Sequence, residues 1–210
     1  MYTPRAFAEA DLAGLDWLLA RDPFVTLLTP GPGGLPCVTH LPVLAARDGG
    51  RVTLEGHWAR ANPQAGHAGP ALVIVHGPHH YVSPGWYPDK AEAARVPTWN
   101  YAVAHLHGTL APLQEEPALA SIVSRLGERF EPGVGGEWAY DPADPRERGQ
   151  LRGIIGFRLE VETVELKFKL NQNHPQANVQ GVIDGLLGLQ GAAAAEMATL
   201  MAERLARRGS

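Results

Sequence analysis

Between residues 24 and 56 the chain has to reverse direction twice, and this constrains its fold more than any other stretch. Residues 24–29 (FVTLLT) are rich in β-branched side chains and run into Pro30-Gly31-Pro32-Gly33-Gly34. Residues 36–44 resume a strand-like pattern, and Asp48-Gly49-Gly50 then leads into residues 51–56. Proline presets φ and glycine accepts positive φ, so both junctions read as tight turns. Two successive hairpins favour an antiparallel meander. The 24 Gly and 18 Pro of the 210-residue chain carry the same message elsewhere: the fold is turn-rich and mainly β.

Helices are expected at the ends and in the middle. Leu12, Leu15, Leu18 and Leu19 recur at helical spacing in residues 11–21, with Asp11 as N-cap and Asp22-Pro23 as the stop. Leu119, Ile122, Val123, Leu126 and Phe130 mark one face of a second helix that has Pro117 in its first turn. A Gly-, Pro- and Asp-rich loop follows to about residue 149. Residues 182–189 and 192–208 read as C-terminal helices, and Arg204, Arg207 and Arg208 suit the negative end of the last one. Residues 72–76 and 101–113 read as strands, whereas residues 79–100 are crowded with Pro, Gly, Trp and Tyr and show no period. In residues 154–170 the apolar set Phe157, Leu159, Val161 gives way to Val164, Leu166, Phe168, Leu170. Such a phase change sends side chains to the opposite face, so a bulge, bend or turn is expected near Thr163.

A net charge of −4 and a pI near 6.1 argue against a protein that coats nucleic acid. The single cysteine, Cys37, can form neither an internal disulfide nor a thiolate metal cluster. No signal peptide or membrane span is visible, and a cytoplasmic location is expected.

Three segments could carry chemistry. Gly56 to Pro63 (GHWARANP) follows a strand, and Asn62-Pro63 reads as a helix start; with Arg60 nearby it would suit an anion. Aromatic residues are concentrated in the loops at Tyr81, Trp86, Tyr87, Trp99 and Tyr101, as a flat ligand or a partner chain requires. Lys167 and Lys169 are followed by Asn171, Gln172 and Asn173, which joins positive charge to amides able to donate and accept. His105 and His107 share a strand face, but no carboxylate lies at a familiar spacing and no metal site is expected. Phosphate-loop, dinucleotide and nucleophile-elbow patterns do not occur.

Taken in order, these motifs resemble the PaiB-like family. The resemblance runs through Met1-Tyr2-Thr3-Pro4 with Phe7, His40-Leu41-Pro42, and Gly56-His57 with Ala59 to Pro63. It continues through Ser83-Pro84 with Trp86-Tyr87, Val96 to Tyr101 (VPTWNY), and the Lys-x-Lys-Leu-x-Gln-Asn run ending at Asn173. The resemblance implies an FMN-binding, antiparallel, Greek-key-like split β-barrel, similar to that of pyridoxamine-phosphate oxidase, in a homodimer. The barrel would occupy residues 1–175, and residues 176–210 would form a helical extension packed on it or on the dimer partner. His57, Arg60, Asn62, Thr98, Trp99, Asn100, Lys167, Lys169, Gln172 and Asn173 are the implied cofactor-binding set. Arg60 and Asn62 would serve the phosphate and ribityl chain, and Thr98 to Asn100 the flavin. Asn171 departs from the family pattern, which has Ser there. Tyr87, His105 and His107 are the candidate proton donors. Function is then either that of a flavoprotein, including a flavin-dependent oxidoreductase, or that of a negative transcriptional regulator. Such a regulator would act on DNA or through a protein partner. Haem binding through a histidine follows only from analogy with related barrels.

Overall fold

The computed structural model describes residues 1–207, so Arg208 lies outside the described residues. Among these, eight strands form a mainly antiparallel sheet: β1 (Ala8–Glu9), β2 (Phe24–Pro30), β3 (Pro36–Pro42), β4 (Leu44–Asp48), β5 (Arg51–Ala59), β6 (Gly69–Val82), β7 (Thr98–Leu113) and β8 (Ile154–Lys169). The order is β3-β2-β6-β7-β8-β5-β4, with β1 paired to β8. The helices are α1 (Ala13–Arg21), α2 (Glu116–Val134), α3 (Pro145–Gln150), α4 (Gln176–Leu187) and α5 (Ala192–Ala206). They lie at the N-terminus, mid-chain and C-terminus, as the periodicity requires.

The chain falls into two compact units, and β6, β7 and β8 each contribute residues to both. Unit one comprises Met1–Leu18, His76–Ala104 and the described residues from Glu165 onward. Its core includes Leu15, Leu18, Val82, Phe168, Val182, Leu186, Met197 and Met201, all buried. Gly181 and Gly185, one turn apart on α4, let that helix approach the backbone and ring of Trp86; a β-carbon at either position would collide with them. This packing fixes the loop between β6 and β7 against α4.

Unit two comprises Leu19–Val75 and His105–Val164. Here β2 pairs with β3 from Phe24↔Pro42 to Pro30↔Pro36, and β4 with β5 from Leu44↔Glu55 to Asp48↔Arg51, which are the two expected hairpins. Val52, Leu54 and Trp58 alternate inward on β5, and the Trp58 ring meets Phe157 at 4.7 Å. Burying each of these side chains contributes about 1.5–3 kcal/mol, more than any single exposed contact in the unit offers.

Several local expectations are corrected. Asn62-Pro63 begins no helix: Ala65 N donates to Asn62 O and His67 N to Gln64 O, giving successive turns that end at Gly66, whose φ is 82°. The reason is Gln64, whose side chain is drawn into the core and anchors the segment as a turn. The aperiodic stretch starts later than expected, because β6 runs on to Val82. The loop before β8 contains α3, capped by Asp144, whose side chain accepts from Arg146 N. β8 runs through Thr163 without a turn, but Glu162 and Thr163 are exposed in succession, so the inward-facing set changes phase there as expected. There the strand changes partner, pairing with β5 up to Val161 and with β1 at Leu166 and Lys167.

Candidate functional site

Unit one holds a cavity of about 380 Å³ built where β8 ends, where β7 begins and where the aperiodic loop returns. Such a volume is in the range of small-molecule pockets. Its construction starts at Lys169, the last residue of β8. Two residues on, Asn171 takes a left-handed conformation with φ of 61°. His174 N then donates to Asn171 O at 2.9 Å, and Pro175 leads into α4. The Gln172 side chain clips this turn, accepting from Leu170 N at 2.6 Å and donating to Phe168 O.

The loop from β6 brings Tyr87 and Arg95 to the same cavity. Asp89 accepts from Arg95 Nε and from Asn178 Nδ2 of α4, both at 2.9 Å, so the loop is tied to the helix. The Arg95 guanidinium holds the Asp89 carboxyl down at about 2. Tyr87 is 1% exposed, its hydroxyl accepts from Asn171 Nδ2 at 2.6 Å, and its ring stacks on His174 at 5.0 Å. Burial raises the Tyr87 pKa above that of a free phenol.

Two features of the lining point to a ligand. Asn100 Oδ1, Asn171 Oδ1 and His174 Nδ1 are buried without a hydrogen-bond partner, and all three residues line the cavity. Native interiors rarely leave such atoms unpaired, and each costs about 1–3 kcal/mol. Charge is the second feature. Lys169 and Arg95 line the cavity, and the Lys169 ammonium donates to Thr98 Oγ1 and Trp99 O. Burial, and then the charge of Lys167, lower the Lys169 pKa; burial also lowers that of His174, with Arg95 adding to the effect. A bound anion would relieve the repulsion, while the amide oxygens await donors.

Of the residues expected from sequence, Thr98, Asn100, Lys169 and Asn173 line this cavity. Trp99 contributes its carbonyl, while its half-exposed ring lies 6.1 Å from His79 and 6.2 Å from Tyr81. Lys167 donates to Tyr2 O at 3.0 Å and lies over the rings of Tyr2 and Tyr101, so it acts on the cavity through its charge. His57, Arg60 and Asn62 belong to unit two. There Arg60 donates to the carbonyls of Arg152 (2.6 Å) and Ile154 (3.0 Å), and Asn62 donates to Thr39 Oγ1 at 3.0 Å. The His57 ring is half-buried; its Nδ1 is unpartnered, and burial lowers its pKa. Sequence reasoning singles out neither Arg95 nor His174. Position in an aperiodic loop hides the first, and only the left-handed turn at Asn171 brings the second inward.

Comparison with known proteins identifies the family. Residues 1–163 match the family described as "Putative FMN-binding domain". Lys169 to His174 follow that matched segment. The chain is 31% identical over 209 residues to "Protease synthase and sporulation protein PAI 2" of Bacillus subtilis, covering 98% of both chains. Among solved structures it is similar to the flavocytochrome Anf3 from Azotobacter vinelandii (TM-score 0.56, 16% identity, 80% of this chain and 72% of that one). It is also similar to the FAD and heme binding protein from Mycobacterium smegmatis (TM-score 0.54, 21% identity, 77% and 73%). At these identities the likeness shows the fold alone, and that fold is the expected split β-barrel. Among the described residues no helix is long and apolar enough to cross a membrane. With a family model spanning 163 of its 210 residues and a relative matched across 98% of both lengths, the chain belongs to the FMN-binding PaiB-like family.

Proposed function

We propose that this FMN-binding protein holds its flavin at the cavity of unit one, in a cytoplasmic homodimer. The observation that carries the reading is the unpaired set on Asn100, Asn171 and His174 beside the cations Lys169 and Arg95. These acceptors and cations fit FMN, which combines a dianionic phosphate with a polar-edged aromatic ring. Lys169 and Arg95 would meet negative charge, Asn100, Asn171 and Asn173 the polar edges, and Thr98 would keep the Lys169 ammonium in place. When bound, FMN supplies the redox chemistry, and the protein supplies orientation and electrostatics. Burial disfavours loss of the Tyr87 proton, so Tyr87 acts as a hydrogen-bonding group near neutral pH.

The two candidate phosphate cations are separated by titrating the full chain with FMN and following flavin fluorescence. Lys169→Met should weaken binding about tenfold or more, the worth of a charge-assisted hydrogen bond. Arg60→Ala should leave affinity nearly unchanged, because its guanidinium is engaged by backbone carbonyls. The reverse pattern would move the phosphate to the turn at Arg60.

Similarity to PAI 2, whose name concerns protease synthesis and sporulation, favours a second reading as a regulator with flavin as its sensor. With a net charge of −4, a protein partner fits better than DNA. Sequence-preferring binding to a promoter fragment at physiological salt would decide for DNA.

A further inference from the structure

Asn171 is one of two non-glycine residues with positive φ among those described, the other being Ala94. Glycine would satisfy that backbone at no steric cost, whereas asparagine keeps a carboxamide there. Asn171 is 3% exposed and lines the cavity; its Nδ2 donates to the buried Tyr87 hydroxyl, and its Oδ1 is buried without a partner. Asn100 repeats the arrangement. It is 0% exposed, and its Nδ2 points to Met201 Sδ at 3.2 Å. A thioether sulfur can only accept, so the amide is oriented with Oδ1 as the open end. Two cationic residues line the same cavity. The Lys169 ammonium has three N–H groups, two of them engaged by Thr98 and Trp99. Arg95 uses Nε and Nη2 on Asp89 and retains further N–H groups.

Acceptors and donors lining one cavity suit a ring N–H flanked by carbonyl oxygens. We infer that Asn171, positioned by Tyr87 and acting with Asn100, selects the ligand of this cavity by its imide edge. The inference rests on the flavin reading and narrows it: the flavin ring carries such an edge, and a ring of equal size without the N–H is discriminated against.

The test compares FMN with N3-methyl-FMN on the full chain by equilibrium fluorescence titration. The wild type should bind FMN about tenfold more tightly or better, since the methylated ring leaves a buried acceptor unpaired. Asn171→Gly preserves the left-handed backbone and should bring the ratio close to one. Tyr87→Phe removes the hydroxyl that holds Asn171 and should weaken FMN several-fold while leaving N3-methyl-FMN unchanged. A simple steric effect of the methyl group would instead keep the wild-type ratio in Tyr87→Phe, and that result overturns the inference. Equal wild-type affinity for the two ligands also overturns it while the flavin reading stands. Failure to bind either ligand overturns both.

Discussion

Two buried carboxamides, one in each unit, have opposite surroundings. Gln64 in unit two is 3% exposed and saturated: Oε1 accepts from Trp58 Nε1 at 3.3 Å, and Nε2 donates to Thr29 Oγ1 at 3.0 Å and Cys37 O at 3.1 Å, with Leu27 O at 3.4 Å. Asn100 in unit one is more deeply buried, yet its oxygen has no partner, and Asn171 shares that condition. A saturated buried amide braces one conformation, because each partner would be stranded without it. An open one lowers stability in return for nothing inside the protein, which is the signature of a group kept for a ligand. Neither residue type nor depth of burial separates the two; only the count of partners does.

Replacing the brace should produce the largest effect. Gln64→Leu strands Trp58 Nε1 and the carbonyls around it and should cost about 3 kcal/mol in urea unfolding, with FMN affinity unchanged where the protein remains folded. Asn100→Ala should do the opposite. Stability should stay within about 1 kcal/mol, because the lost packing is offset by removal of an unpaired acceptor, while FMN affinity falls about tenfold. A large stability loss at Asn100 with unaltered FMN binding would erase the contrast.

Histidines sharpen the comparison through pH. Burial lowers the pKa of both His57 and His174 from the ordinary 6.5, so the unfolded chain takes up protons that the folded chain resists. Stability from this source is present above about pH 6.5 and is lost as pH falls below it. Thermal unfolding followed by circular dichroism should show this decline in the wild type and a shallower one in His57→Gln and His174→Gln. Bound FMN should shrink the His174 share alone, since its negative charge favours the protonated ring. The smallest effect is expected at Asp89. Its folded pKa, held at about 2 by Arg95, lies below the ordinary 3.8, so its contribution is present above that value and fades as pH drops toward 2. Asp89→Asn should flatten this acid limb of the unfolding midpoint.

The strands of unit two were legible because their turns are written in Pro-Gly and Asp-Gly, and the phase change at Thr163 did mark where β8 trades β5 for β1. At Asn62 the Asn-Pro pair carries the same local signal for a turn as for a helix start. What separates them is the burial of Gln64, a tertiary fact. Within the site, Asn100 and Lys169 stood in recognisable motifs. Arg95 and His174 did not, since their approach depends on Asp89 gripping Asn178 and on a positive φ at Asn171. Local pattern cannot report a contact made between a loop and a helix some 90 positions away.

The central claim is that the open amides and cations of unit one hold the flavin. Its most direct test is the visible absorption spectrum of the full chain after FMN is added and the excess removed by gel filtration, for the wild type and for the Asn100→Ala, Lys169→Met double variant. Flavin bands retained by the wild type and absent from the folded variant are the expected result. Equal retention by both proteins, or a wild type that stays colourless, would contradict the assignment.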